Sequence, residues 1–142
     1  MLVQCLYASR PSLKITEEQV ALILEQSRRN NPMLGVTGIL CYTEDVFVQI
    51  LEGGRDEVSS LFTSIVRDNR HREVTILAFD EIGQRMFSNW TMGQVDMSKI
   101  NPGLLLKYSE KPTLDPFSCS GHATMSVIRE LLASAGIAGR SG

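Results

Sequence analysis

The run VTGILCYTEDVFVQILEGG, residues 36–54, decides the fold. Two short apolar segments, 36–43 and 46–52, are separated only by Glu44 and Asp45. Apolar runs of this length, bounded by turn residues, read as two strands of a tight hairpin. The turn lacks an Asn-Gly or Asp-Gly pair, so its type stays open. Gly53-Gly54 closes the second strand. Inside that strand Gln49 interrupts Val46, Phe47, Val48, Ile50 and Leu51. A buried amide must be hydrogen-bonded or costs about 1–3 kcal/mol. It donates and accepts at once, and turning it over exchanges the two roles. That suits the edge of a heteroaromatic ligand, but buried polar groups are most often simply paired. Taken alone, Gln49 reads more readily as a satisfied core glutamine or as a residue on the outer face of an edge strand.

Working outward, residues 2–9 read as a first strand with Val3, Cys5 and Tyr7 on one face. Pro11 and Ser12 break it. Thr16 and Gln19 have the spacing of a capping box, so a helix is expected over 17–30. Its apolar stripe of Val20, Ile23 and Leu24 continues onto Ser27 and Asn31. Asn30-Asn31-Pro32 is expected to end it, because a residue before proline disfavours helical geometry. A second helix is expected over 56–68, with Val58, Leu61, Phe62 and Ile65 on one face. Residues 69–72 read as a polar turn, 74–79 as a fourth strand and 87–95 as a weaker fifth. The order is βαββαββ, an α+β ferredoxin-like sandwich with two helices on one face of a mixed sheet. A tail helix over 124–133, carrying Met125, Ile128 and Leu132, is expected to cover the other face. Residues 133–136 read as its stop, and the chain from Ile137 as a Gly/Ala/Ser-rich frayed end.

The 142 residues fit a single domain of ordinary size, divided here into a core over 1–97 and an extension over 98–142. Net charge is −2, which gives no electrostatic case for nucleic acid. No apolar stretch is long enough for a bilayer span, and residues 1–9 do not resemble a signal peptide, so a cytoplasmic protein is expected. Cys5, Cys41 and Cys119 are too few and too widely spaced for a disulfide framework or a zinc site, and no metal is expected.

In a ferredoxin-like sheet the first and third strands are adjacent. Tyr7 and Gln49 are therefore expected side by side beneath the first helix, near Ser27 and Asn31. A phenol and two amides around one pocket suit a flat ligand with donors and acceptors along its edge. Each residue also has a plain structural reading: core aromatic, back-bonded helix serine, helix-end asparagine.

Several segments together carry a family resemblance. They are Leu6-Tyr7-Ala8-Ser9; SRRNNPMLGVTG over 27–38; Phe47-Val48-Gln49-Ile50-Leu51-Glu52-Gly53; Asp68-Asn69-Arg70-His71; and Arg85-Met86-Phe87-Ser88-Asn89-Trp90-Thr91-Met92. In this order they resemble a BLUF domain, a flavin-binding blue-light sensor, over residues 1–97. The tail, with Leu106-Lys107-Tyr108-Ser109, is similar to that of stand-alone members with a short helical extension.

The resemblance implies FAD as a non-covalent cofactor, with FMN as the alternative. It implies that Tyr7 gives an electron and a proton through Gln49 and that Gln49 ends rotated or tautomerised. Asn31 would bond the flavin ring, Ser27 would support it, and Asn30, a histidine in some relatives, would help seal the outer pocket. Arg70 and His71 would lie towards the ribityl and phosphate end. Trp90 and Met92 would relay the signal, one inside and one outside the pocket, although two positions apart in a regular strand they would share a face. No enzymatic turnover is implied. The output is expected through a downstream partner protein in trans or through self-association, favoured by an open sheet face and an amphipathic tail helix. Two readings compete: a non-photoactive ferredoxin-like ligand-binding or oligomerisation module, and a small flavoenzyme. The second is disfavoured by the lack of an acid–base pair near the pocket, since His71 and His122 fall in turn-like or tail segments.

Overall fold

A computed structural model of the chain describes residues 1–133. The chain runs β1 (Leu2–Pro11), α1 (Glu17–Leu34), β2 (Thr37–Tyr42), β3 (Phe47–Gly54), α2 (Arg55–Arg67), β4 (His71–Ile82) and β5 (Gly93–Asp96). A 3₁₀ turn (Met97–Lys99), α3 (Pro102–Tyr108) and α4 (Gly121–Ala133) follow. The five strands form one sheet in the order β4-β1-β3-β2-β5. Only the β2–β5 pair is parallel, so the sheet is mixed. This is the expected ferredoxin-like arrangement with an added edge strand.

Side chains alternate across the sheet and divide the core in two. On one side Val3, Cys5, Tyr7, Leu40, Phe47 and Leu51 pack with Val20 and Leu24 of α1 and Val58 of α2. On the other, Leu6, Ala8, Ile39, Val48 and Ile50 pack with Leu105 of α3 and with Met125, Ile128 and Leu131 of α4. The tail therefore covers the second face, as expected. The open sheet face on which self-association was expected is occupied by the chain itself.

Several boundaries differ from the sequence reading. Helix α1 does not stop at Asn30; it continues through Pro32 to Leu34. Pro32 lies inside the last turn and supplies no helical N–H there. Gly35, at φ 68°, then closes the helix by donating its N–H to the Asn31 and Pro32 carbonyls. Strand β1 continues to Pro11, and β4 begins at His71 rather than 74, because the two pair as far as Pro11↔His71. The fifth strand is much shorter than 87–95. Residues 85–92 have no strand partner along most of their length; Glu52 holds the start of the segment and α1 its end. Helices α2 and α4 begin slightly earlier than expected, and α3 was not anticipated. The expected stop beyond Ala133 and the end from Ile137 lie outside the described residues.

Candidate functional site

Register brings the central pair together. Strands β1 and β3 are antiparallel with Tyr7 directly opposite Gln49. Both side chains point to the helix side and are nearly sealed, at 4% and 5% exposure. The Tyr7 hydroxyl donates to Gln49 Oε1. The other end of the amide, Nε2, donates to Met92 Sδ at 3.4 Å. Burial pushes the Tyr7 phenol far above its ordinary range, and the neighbouring acidic groups Cys5 and Asp68 add to the effect. Tyr7 is therefore held as a neutral phenol, with its proton on a bond to the amide. Phe62 of α2 meets its ring edge-on at 5.5 Å between centroids.

A cavity of about 570 Å³ opens above this pair, between α1 and α2. Its floor is Tyr7, Leu40, Phe47, Gln49 and Leu51; Ile23, Ser27, Asn30 and Asn31 form one wall, and Leu61, Ser64 and Ile65 the other. Asp68, Arg70 and His71 line it as well. A wider groove runs along the opposite side of α1, rimmed by Glu17, Glu25, Arg29, Asp96 and Lys99. It does not contain the phenol–amide pair.

The expected site residues take different positions around the cavity. Asn31 is 2% exposed, and its Nδ2 donates to the Thr91 carbonyl at 3.2 Å. The extra turn of α1 places it there. Ser27 is half-buried and Asn30 exposed, both on the α1 wall. Arg70 forks onto Asp68 through Nε and Nη2 and reaches Gln26 Oε1 of α1 at 3.1 Å. The Arg70 guanidinium beside Asp68 holds that carboxyl below its usual range. His71 has both ring nitrogens engaged: Nε2 with the Ile65 carbonyl at 2.5 Å and Nδ1 with Ser9 Oγ at 2.8 Å. A carbonyl only accepts, so Nε2 carries a proton directed at Ile65.

Trp90 and Met92 do not share a face, because the backbone here is irregular. Met92 is fully buried beside Gln49. Trp90 packs against the other core, with its indole 5.7 Å from the Phe87 ring. Two contacts at this segment were missed from sequence. Arg28 donates through Nε and Nη2 to the Met92 carbonyl at 3.2 and 3.0 Å. Glu52, fully buried, accepts from the backbone N–H groups of Met86 and Phe87 at 3.0 and 2.7 Å. Both act on main-chain groups, which residue types do not reveal.

The cavity suits a flat tricyclic ring. It is within the usual range for small-molecule sites, about 300–1,000 Å³. Its walls offer apolar contact through Ile23, Leu61 and Ile65, and its inner end offers the Gln49 amide and Asn31.

The family profile described as "BLUF: Sensors of blue-light using FAD" matches residues 2–93. The chain belongs to the BLUF family. The matched module is a sensor of blue light that uses FAD. Among curated proteins the chain is 31% identical over 87 residues to the photoactivated adenylate cyclase subunit beta of Euglena longa, covering 61% of this chain. The match spans only 10% of that much longer relative. Among solved BLUF structures, BlsA in its photo-activated state superposes at TM-score 0.83 with 27% identity, covering 100% of this chain and 99% of that one. BlrB, a BLUF protein in its dark state, superposes at TM-score 0.78 with 30% identity, covering 94% and 96% of the two chains. Among the described residues no helix is long and apolar enough to cross a membrane.

Proposed function

We propose that this BLUF protein is a switch in which Gln49 exchanges hydrogen-bond partners after Tyr7 gives up an electron and a proton, and that segment 85–92 carries the change to a separate partner. The observation that supports it is the continuous chain Tyr7 hydroxyl–Gln49 amide–Met92 sulfur. Bound flavin supplies blue-light absorption and an excited state that accepts an electron. Tyr7, Ser27, Asn30, Asn31 and Gln49 would hold its ring end. Arg70 would stand at its outer end beside Asp68, whereas His71, with both nitrogens engaged, would serve as a wall.

The chemistry of the switch follows from the amide. In the arrangement seen, Gln49 Oε1 accepts from Tyr7 and Nε2 donates to Met92. Half a turn of the amide presents Nε2 to the tyrosine oxygen and Oε1 to the sulfur. A thioether accepts but cannot donate, so the turned amide has no bond to Met92. Loss of this contact loosens Met92, and with it the segment joining β4 to β5. The switch is reversible because no covalent bond is made and the electron and proton return to Tyr7, leaving no net redox change.

Absorbance before and after blue light tests the reading. Wild-type protein is expected to be yellow, to shift slightly to the red in light and to recover in the dark. Gln49→Leu and Tyr7→Phe should remain yellow; Gln49→Leu should lose the shift and Tyr7→Phe the normal photocycle. A normal shift in either variant would falsify the switch.

The Euglena relative carries adenylate cyclase in its name and is about ten times the length of the matched segment. For this chain we place the output in a downstream partner in trans, in the cytoplasm, with a homo-oligomer as the assembly state to be measured.

A further inference from the structure

The sheet order leaves β4 on an outer edge, paired on one side only, with β1. At 12 residues it is the longest strand. Its middle, Val74-Thr75-Ile76-Leu77-Ala78-Phe79, holds no charge, glycine or proline. Natural edges are usually blunted by charge, proline or shortness, because their unpaired N–H and C=O groups template another strand. Ile76 lies opposite Tyr7 and Phe79 opposite Cys5, so both point to the helix side. Neither is covered there: Ile76 is 50% and Phe79 44% exposed. The tail does not cover them either, since α4 packs on the other side of the sheet. Its Gly121 rests against the Leu77 carbonyl, where a Cβ would stand 2.6 Å from the oxygen.

We propose that two copies of the chain join along this edge, β4 antiparallel to β4 about a two-fold axis. Self-complementarity selects the second copy as the occupant. An axis between Leu77 and Ala78 sets Ile76 opposite the partner's Phe79 and Thr75 opposite the partner's Asp80. Residues directly opposite in an antiparallel pair share a face, and these do. Ile76 and Phe79 are on the helix side; Thr75 and Asp80 oppose Ala8 and Gln4 of β1 on the tail side. A slip of one residue would set Ile76 opposite the partner's Ala78 or Asp80, which point to the other face. Charge agrees with this direction. At one end of β4, Arg10 and Arg72 share the carboxylate of Glu73 at 2.6 and 3.5 Å, which leaves that end positive. At the other end Arg55 reaches Glu81 at 3.1 Å, and no cation among the described residues reaches Asp80. Antiparallel pairing lays the positive end of each copy beside the negative end of the other; parallel pairing would set like beside like. Leu77 is a bulge residue, where the β1 register shifts between Leu6 and Tyr7. Main-chain bonds between the copies therefore form to either side of the centre, and Ile76 and Phe79 make the contact at the centre itself. The inference names the surface of the homo-oligomer proposed above and does not depend on the Gln49 switch.

Sedimentation velocity on full-length protein with FAD, in the dark and over a range of concentrations, measures the association. Wild type should pass from monomer to dimer. Ile76→Lys and Phe79→Lys, each made alone, put a charge into an apolar contact that the two-fold axis repeats. Each should raise the dimer dissociation constant at least about tenfold. Leu22→Lys, at an exposed leucine of α1, should leave it unchanged. Cross-linking reads the register. In a Cys119→Ser background, Ile76→Cys and Phe79→Cys together should give a disulfide-linked dimer on mild oxidation, and neither should do so alone. Should one lysine variant not fold, the other and the cysteine pair decide. A wild type that stays monomeric up to about 1 mM, a dimer that the lysine variants leave intact, or a double cysteine variant that does not cross-link overturns the proposal. The light-induced absorbance shift is recorded on the same wild-type sample. Its absence beside a lysine-sensitive dimer would instead sink the switch and leave the interface standing.

Discussion

Gln49 is buried among apolar neighbours and is satisfied at both ends, by a phenol and by a sulfur. The second partner sets a test. A carboxylate in place of the amide offers two acceptors and, when ionised, nothing to donate to Met92. Gln49→Glu is therefore expected to bind flavin with a displaced dark spectrum and without the wild-type light-induced shift; a wild-type difference spectrum would remove the need for an amide. The Tyr7–Gln49 pair was legible in the sequence because strand alternation and the sheet order of a βαββαββ chain leave few arrangements. The inward placing of Met92 was not legible, since a regular strand would have put it on the same face as Trp90. Glu52 and Arg28 were invisible for a different reason: their partners are backbone groups, and nothing in a list of residue types marks which carbonyl lacks a ladder.

At the scale of elements, two glycines in one connection separate two kinds of constraint. Gly35 ends α1 at φ 68°, with open space where a Cβ would stand. Gly35→Ala should cost about 1 kcal/mol from backbone strain alone. Gly38 in β2 has ordinary dihedrals, but a Cβ there would lie 2.0 Å from the Ile50 carbonyl oxygen of β3. Relief requires the two strands to part, so Gly38→Ala should cost more, about 1–3 kcal/mol or above. Urea unfolding of both variants checks the order, and equal losses would contradict it. The end of α1 shows why boundaries were the least legible feature. The rule that residues before proline avoid helix is local. Here the Asn31 bond to Thr91 and the Gly35 cap together hold Asn31 helical. Without that extra turn Asn31 would not reach the cavity.

For the whole molecule, burial of three weakly acidic groups governs behaviour in alkali. Desolvation raises Cys5 to about 11 and Cys41 to about 12, from an ordinary 9.0, and raises Tyr7 further above its ordinary 10.0. Each stays protonated in the folded chain while its unfolded counterpart ionises. Their contribution is complete below pH 9.0 and declines as pH rises towards the folded values. Between about pH 10 and 11 the three together should lower stability by about 3 kcal/mol per pH unit. Cys41→Ala should reduce that slope by about 1.2 kcal/mol per pH unit. Chemical unfolding at stepped pH measures it, and an unchanged slope in Cys41→Ala would show that Cys41 ionises alike in both states. Removing residues beyond 97 is a separate test of the tail. It would bare Leu6, Ile39, Val48 and Ile50, so the shortened chain should aggregate or bind an apolar dye where the full chain does not.

The sheet separates two cores by the thickness of one backbone. Along β3, Phe47, Gln49 and Leu51 belong to the cavity side, while Val48 and Ile50 belong to the tail side. Neighbouring codons thus serve different masters. Substitutions that retune colour or recovery time need not disturb the seat of α3 and α4, and changes in that seat need not touch pigment binding. Descendants of one such gene can exchange the surface they show to partners while keeping the same optical response.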